Sequence, residues 1–300
     1  MNDSNSIDFL CIGAQKSATT WLWNKLYKNK NIWMPPRKEI HYFDRNLKYP
    51  SPSFLASDNI LLRLFSRKSH NVLFRKKLKE EMKYIIKTKD RNKIKWYIKY
   101  FFGFYGDNWY RSLFKEGVGK LKGEITPAYS ILNVDDVKKI KILFPNLKII
   151  FLMRNPVQRA WSQYKFYHTI NKNDVDLTDY YTFLNNPIQL LRGDYLRTLN
   201  IWNSVFDKKQ IFVGFYDQVI EDPDNLLYNI CDFLGVKYKK ENNLQQKINK
   251  SKEIKMPKEI EYYLIDKYYN DVKQLSLEYS EYPTKWLKKY DLALETKDKI

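Results

Sequence analysis

Two short apolar runs, each leading into a helical pattern, constrain the fold of this chain more than any other feature. The first run, Phe9–Ile12, breaks at Gly13 into a small polar loop before the helical pattern begins. The second run, Ile149–Met153, is followed by Asn155 and Pro156, which suit the N-cap and the first position of a helix. Short apolar runs bounded in this way are typical of buried parallel strands. The sequence therefore predicts an α/β fold built on a parallel sheet.

The polar loop after the first run has the composition of an anion-binding site. It holds one lysine and three hydroxyl side chains, which are Lys16, Ser17, Thr19 and Thr20. The N–H groups of such a loop and the positive end of the following helix point at an anion, and the lysine neutralises it. An ordinary strand-to-helix turn would not need this set of side chains. We therefore expect the loop to bind a phosphate group.

The spacing of this loop differs from that of the phosphate loop in nucleotide kinases. The kinase motif reads G-x-x-x-x-G-K-[ST], with a hydroxyl after the lysine to hold magnesium. Here Gly13 precedes Lys16 by three positions, and no second glycine stands before the lysine. The spacing argues against a kinase, although a P-loop-type nucleotide kinase stays one alternative interpretation.

A second candidate phosphate site follows the second apolar run. Arg154 stands at the C-terminal edge of that predicted strand, where open α/β sheets bind ligands. Ser162 lies about two helical turns beyond the N-cap, on the same side of the helix. A guanidinium and a hydroxyl together suit a terminal phosphate. We expect the loop and this pair to bind opposite ends of one doubly phosphorylated nucleotide.

Together these motifs resemble those of sulfotransferases that use 3′-phosphoadenosine 5′-phosphosulfate (PAPS). Lys16–Thr20 is similar to their phosphosulfate loop, and Arg154 followed eight positions later by Ser162 is similar to their 3′-phosphate motif. The resemblance covers residues 7–50 and 105–290, and it includes Gly123–Tyr129, Gly193–Tyr195, Gln210–Tyr216, Asp222–Pro223 and Phe233–Gly235. It leans toward the carbohydrate type, which includes heparan sulfate O- and N-sulfotransferases and their bacterial relatives.

The resemblance implies a P-loop-NTPase-like fold in a single domain over residues 1–300. A central parallel β-sheet flanked by helices is expected, with strands near residues 9–13, 122–126, 148–153 and 211–215. A C-terminal helix near residues 257–275 is expected to pack back on the domain.

The resemblance also implies the donor and the residues that bind it. PAPS is the expected co-substrate and adenosine 3′,5′-bisphosphate (PAP) the expected product, with no metal. The implied binding residues are Lys16, Ser17, Ala18, Thr19, Thr20, Arg154, Ser162 and, from a late basic loop, Lys250. Many members carry glycine where this chain has Ala18, so a positive φ at that position would strain the loop.

On the acceptor side, Lys38–Asp44 resembles a segment of heparan sulfate 3-O-sulfotransferases. The resemblance implies that Glu39 is the general base, with His41 and Asp44 in support and Lys38 near the sulfuryl group. Tyr195 is implied as a further substrate-binding residue. A positioned base of this kind contributes about 10²–10⁴-fold in rate.

Alternatives to these acceptor-side roles stay open. His41 can be a packed, hydrogen-bonded core residue, and Glu39 can serve only in an ion pair with Lys38 or Arg37. Ile125 stands where the heparan sulfate enzymes tend to have lysine. A different glycan, an acceptor that is not a glycan, or a catalytically inactive relative is therefore compatible with the sequence.

Positive charge is concentrated in one part of the chain. The formal net charge is +19, and residues 58–104 contain 14 lysines and arginines but four acidic residues. Apolar residues recur through the same segment in a pattern that predicts two or three amphipathic helices, inserted into the domain. Such an insertion can steer a polyanionic acceptor, contact an anionic membrane surface, or form the solvated face of a helical cap.

The combined prediction is in-line transfer of a sulfuryl group from PAPS to a hydroxyl or amine, on a carbohydrate or glycolipid. A basic polyanion- or nucleic-acid-binding protein without catalysis is a further alternative, since basic charge alone is weak evidence; no nucleic-acid partner is expected. The sequence has no run of eighteen apolar residues and no signal-peptide pattern at its start. A cytoplasmic protein, or one peripheral to a membrane, is therefore expected.

Overall fold

A five-stranded sheet is the framework of the structure, a computed structural model that describes residues 7–50, 54–171, 177–240 and 255–297. The strands are β1 Phe9–Gly13, β2 Ile32–Trp33, β3 Leu121–Ile125, β4 Lys148–Met153 and β5 Ile211–Phe215. They lie in the order β2-β3-β1-β4-β5. Both β1 and β2 pair with β3 in parallel. The predicted α/β fold with a parallel sheet is confirmed, and the two-residue strand β2 was not predicted.

Helices flank this sheet. They are α1 Thr19–Lys28, α2 Ile60–Phe65, α3 Ser69–Thr88, α4 Arg91–Phe102, α5 Asp107–Ser112, α6 Val134–Leu143, α7 Pro156–Asn171, α8 Leu177–Leu184, α9 Pro187–Gly193, α10 Tyr195–Asn203, α11 Tyr216–Glu221, α12 Pro223–Leu234, α13 Lys258–Glu278 and α14 Tyr282–Lys297. Short 3₁₀ helices lie at Lys115–Gly117, Pro127–Ile131 and Lys208–Gln210. The C-terminal helix expected near 257–275 is α13, and it packs against α14.

Internal contacts divide the chain into two compact units. Within the described residues, the first unit comprises the chain up to Ile12 together with Leu22–Ile149. The second comprises Gly13–Trp21 and the chain from Ile150 onward. The polar loop after β1 and the end of β4 therefore belong to the second unit, and Lys38–Asp44 belongs to the first.

The basic insertion forms three helices, α2, α3 and α4, within the first unit. Asn59 caps α2 by accepting hydrogen bonds from the N–H groups of Leu61 and Leu62, at 2.8 and 3.3 Å. Asp90 caps α4 in the same way. Helices α2 and α4 thus each begin at a side chain that satisfies exposed backbone donors.

Among the described residues, no helix is long and apolar enough to cross a membrane.

Candidate active site

The loop after β1 has a strained backbone. Lys16 and Ala18 adopt left-handed conformations, with φ of 69° and 60°, on either side of Ser17. Alternation of this kind turns successive N–H groups toward one side and makes an anion-binding concavity. Helix α1 begins directly afterwards at Thr19, so its positive end adds to the same field. The expected strain at Ala18 is present.

Side chains of this loop also fit an anion. Ser17 is fully buried, and its Oγ lies near the Tyr195 hydroxyl without forming a hydrogen bond of normal geometry to any described residue. The Lys16 ammonium lies 4.0 Å from the centre of the Phe166 ring. Thr19 is buried and Thr20 is exposed at the start of α1. A buried hydroxyl that lacks a good hydrogen bond lowers the stability of the fold. A phosphate oxygen next to Ser17 would provide that hydrogen bond.

Arg154 reaches the loop from the end of β4. Its Nη1 donates a hydrogen bond to the Lys16 carbonyl at 3.1 Å, and its guanidinium lies 4.1 Å from the centre of the Tyr216 ring. Its Nε forms no hydrogen bond to the described residues. Burial lowers the pKa of Arg154, and Asp217 is among the nearby groups that oppose this shift. A largely buried guanidinium with an unsatisfied Nε favours an anionic ligand.

Four further residues with predicted roles are Asn155, Ser162, Tyr195 and Lys250. Asn155 accepts hydrogen bonds from the N–H groups of Val157 and Gln158, which confirms it as the N-cap of α7. Ser162 is half-buried on α7. Tyr195 is buried, its hydroxyl donates to the Arg154 carbonyl at 2.9 Å, and burial raises the pKa of Tyr195 to about 12. Lys250 lies outside the described residues.

Ala18→Gly is expected to raise the free energy of unfolding by about 1 kcal/mol, because glycine adopts a φ of 60° without the steric cost that alanine carries. Denaturant titration of both proteins measures the change. Ala160→Gly, within α7, is the control and is expected to be destabilising. A variant at position 18 no more stable than the parent would contradict the assigned strain.

In the first unit, the Glu39–His41 turn is also strained. Glu39 and His41 have φ of 67° and 58°, and Ile40 lies between them. Left-handed conformations at such residues persist where the surrounding structure holds them, at a cost of about 1–3 kcal/mol each, and they cluster at functional sites. The Ile40 N–H donates to Glu124 Oε2 at 3.2 Å and to Thr126 Oγ1 at 3.1 Å. The turn is thus held at its centre by the end of β3.

Two further hydrogen bonds complete this support. The Tyr100 hydroxyl, from α4 of the basic insertion, donates to the Ile40 carbonyl at 3.0 Å. The Glu39 N–H donates to the Ile125 carbonyl at 3.2 Å. Arg37, just before the turn, forms an ion pair with Glu81 of α3. The insertion therefore packs directly on the turn that carries the predicted base.

Glu124 is the buried anchor of this arrangement. Its carboxylate accepts hydrogen bonds from the hydroxyls of Tyr110, Thr126 and Tyr129 at 2.5, 2.7 and 2.9 Å. Burial raises the pKa of Glu124, and these hydrogen bonds oppose the rise. With the Ile40 N–H, four donors contact the two oxygens of this carboxylate. The carboxylate is therefore held in the orientation that binds the Ile40 N–H.

Charged side chains of the turn form one alternating chain. His41 Nδ1 lies 2.7 Å from Asp44 Oδ2, and its Nε2 lies 3.4 Å from Glu39 Oε2. Lys38 Nζ donates to Glu39 Oε1 at 3.0 Å. Burial acts to lower the pKa of His41, but the two carboxylates prevail and raise it to about 10. His41 is therefore an imidazolium at neutral pH.

The pKa of Glu39 shifts downward, opposite to the shift of His41. Burial acts to raise its pKa, but the hydrogen bond from His41 and the charge of Lys38 hold the pKa well below the usual range. The ion pair with Lys38 and the burial of His41, which the sequence left open as alternatives, are both present. They coexist with an ionised carboxylate that can accept a proton.

His41→Gln is expected to destabilise the fold by about 3 kcal/mol at pH 6, and by progressively less as the pH rises toward 10. The folded-state pKa of His41, about 10, lies above its ordinary value of 6.5, so the stabilisation is fully present below pH 6.5 and is lost as the pH passes 10. Urea unfolding across this range measures it. His70→Gln, whose ring contacts the Ser57 hydroxyl, is the control. A pH-independent loss would contradict the assigned imidazolium.

The sequence predicted the charged residues of the turn but not the residues that bind its backbone. Glu124 and Thr126 fall in a segment that resembles the family, yet no role was predicted for them. Tyr100 lies in the insertion, where nothing in the sequence connects it with Ile40. In the second unit, the loop after β1 and Arg154 have the chemistry of an anion-binding site, and in the first unit Glu39 is a held, ionised carboxylate.

Comparison with known proteins gives the family of this chain. Residues 8–240 match the model of the Sulfotransferase family. The match covers more than half of the chain, and the chain belongs to the sulfotransferase family.

Curated relatives share parts of the sequence. Heparan sulfate glucosamine 3-O-sulfotransferase 3B1 of Homo sapiens is 30% identical over 139 residues, which cover 43% of this chain and 35% of the relative. Membrane-associated sulfotransferase kil1 of Dictyostelium discoideum is 30% identical over 159 residues, which cover 53% and 22%. The matched region thus spans about a third or less of these relatives' own length.

A solved structure shares the fold. The crystal structure of a sulfotransferase from Alicyclobacillus acidocaldarius superposes with a TM-score of 0.61 at 19% identity, over 93% of this chain and 98% of that one. This likeness extends along nearly the whole chain and supports the α/β fold described above.

Proposed function

We propose that the protein transfers a sulfuryl group from PAPS to a hydroxyl or amine of a carbohydrate or glycolipid acceptor. The observation that carries the proposal is the 3.1 Å hydrogen bond between Arg154 and the Lys16 carbonyl, which joins the two phosphate motifs in one unit. Ser17 Oγ and Arg154 Nε, which form no hydrogen bond of normal geometry to the described residues, fit phosphate oxygens. The name of the heparan sulfate relative supports a carbohydrate acceptor.

When bound, PAPS would supply a sulfuryl group attached to a phosphate leaving group. Lys16 and the loop N–H groups would balance the negative charge that grows on the bridging oxygen, usually the largest catalytic contribution. Ser17, Ala18, Thr19 and Thr20 would line this end of the donor. Arg154 and Ser162 would hold the 3′-phosphate, and Lys250 would cover it.

Glu39 is the proposed base. It takes the proton of the acceptor hydroxyl while the acceptor oxygen bonds to sulfur, and the electron pair of the broken S–O bond leaves with the donor phosphate. His41 and Asp44 hold Glu39 in position. Because the low pKa of Glu39 makes it a weak base, a turn of Lys38 toward the sulfuryl group would raise that pKa and strengthen it.

The test is a radiolabelled-PAPS assay against a panel of glycans, glycolipids, small alcohols and amines. Label on a carbohydrate-containing acceptor is the expected result. Label on none of them, from a protein that still binds PAP, would indicate a nucleotide-binding relative without this activity. Preferential binding of ATP would favour the kinase alternative.

Tyr100→Phe is expected to lower kcat on the order of tenfold, with the KM for PAPS unchanged, because the loss of one hydrogen bond loosens the Glu39–His41 turn. Steady-state kinetics separate the two constants. Tyr105→Phe is the matched control, since that hydroxyl contacts the Phe101 carbonyl and Arg63, both within the same segment. Equal kcat in the two variants would show that the Tyr100 hydroxyl does not position the base.

A further inference from the structure

Large apolar side chains are exposed on α2 and just after α4 in the basic insertion. On α2, Leu61 and Phe65 are 61% and 76% accessible to solvent. Just after α4, Phe104 is 86% accessible. Phenylalanines this exposed are unusual on a protein surface without a partner, and a group of them marks an interaction site.

Hydrogen bonds connect α2 with the end of α4, which Phe104 follows, and with α3. The fully buried Arg63 of α2 donates to the carbonyls of Phe101 and Gly103, at 2.7 and 2.8 Å. Arg75 of α3 donates to the Arg63 and Ser66 carbonyls, at 3.2 and 2.9 Å. These four bonds fix α2 against the end of α4 and against α3.

Helix geometry directs the apolar side chains outward. Successive residues of a helix are about 100° apart, so Leu61 and Phe65 lie within about 40° of each other and roughly opposite Arg63. Since Arg63 faces the interior, Leu61 and Phe65 face away from it. We name the exposed outer face of α2 at Leu61 and Phe65, together with Phe104 just after α4, the apolar corner.

Basic residues outnumber acidic ones by ten in the insertion, 14 to four. Each of the four acidic residues of the insertion is in an ion pair: Asp58 with Arg45, Glu80 with Lys77, Glu81 with Arg37, and Asp90 with Lys93. Two exposed basic residues, Arg67 and Lys68, follow α2 directly. The insertion therefore presents a net positive surface beside bare aromatic rings.

We propose that the apolar corner and its basic surroundings dock onto an anionic lipid bilayer. Lysines and arginines satisfy the lipid phosphates and carboxylates, and the aromatic and aliphatic side chains enter the boundary with the acyl chains. A polyanionic glycan would be bound by the charge alone and would leave Leu61, Phe65 and Phe104 in water. The combination of charge and exposed rings favours the bilayer, and this inference does not depend on the proposed catalysis.

Vesicle flotation of the full chain tests the proposal. The protein is expected to float with phosphatidylcholine vesicles that contain about 30% phosphatidylserine and not with phosphatidylcholine alone. The triple variant Leu61→Ser, Phe65→Ser, Phe104→Ser is expected to reduce the floated fraction at least about tenfold. Retention on heparin is expected to be unchanged, because the variant keeps every basic residue.

A matched triple variant removes exposed apolar side chains elsewhere. Ile142, Leu277 and Val118 are 77%, 85% and 73% accessible, and their joint replacement by serine is expected to leave flotation intact. Far-ultraviolet circular dichroism and PAP binding monitor folding of both variants. Wild-type protein that binds heparin but no vesicle, or a corner variant that floats like the wild type, would overturn the proposal.

Discussion

Lys16→Met is expected to lower kcat/KM for sulfuryl transfer by about a thousandfold or more. In the proposed reaction the ammonium is the charge that the loop after β1 offers to the developing oxyanion, and methionine keeps the length and the contact with Phe166 without that charge. The left-handed backbone at position 16 is strained for either side chain, so stability should change little. The radiolabel-transfer assay measures the loss directly.

The control for this variant is Lys28→Met, an exposed lysine in the last turn of α1. It changes the net charge equally and leaves the loop intact, so full activity is expected. If the Lys16 variant kept a tenth or more of the wild-type rate, the loop would not stabilise the transferred group.

Glu39→Gln is expected to lower kcat by about 10²–10⁴-fold while PAP binds as before. The amide has the shape of the carboxylate but cannot accept the acceptor proton. The same change removes one of the two carboxylates that raise the pKa of His41, so that pKa is expected to fall. Nuclear magnetic resonance of the imidazole ring measures the fall, and kinetics measure kcat.

Glu116→Gln, at an exposed position in the first unit, serves as the control for charge. Full activity of the Glu39 variant would remove Glu39 from the role of base. A loss of PAP affinity equal to the loss of kcat would assign it a structural role instead.

Local patterns made much of the fold predictable. The strands at β1 and β4, the N-cap Asn155 and the strain at Ala18 follow from residue types within a few positions of each other. Strand β2 escaped prediction because two residues show no periodicity, and it exists through its pairing with β3.

The support of the Glu39–His41 turn was not predictable in this way. Ile40 is 84 and 86 residues from Glu124 and Thr126, and 60 residues from Tyr100. Hydrogen bonds across such distances depend on the folded chain and leave no spacing pattern. The directions of the pKa shifts of Glu39 and His41 were not predictable either. Burial and charge pairing act on each pKa in opposite directions, and only the folded structure shows which effect is larger.

Calorimetric titration with PAP shows whether the protein binds a nucleotide with phosphates at both ends. We expect heat of binding, an affinity for PAP at least about tenfold above that for ATP, and a loss of affinity of about 10–100-fold in Arg154→Met, as for a hydrogen bond to a charged group. No heat with PAP, or tighter binding of ATP, would contradict this expectation.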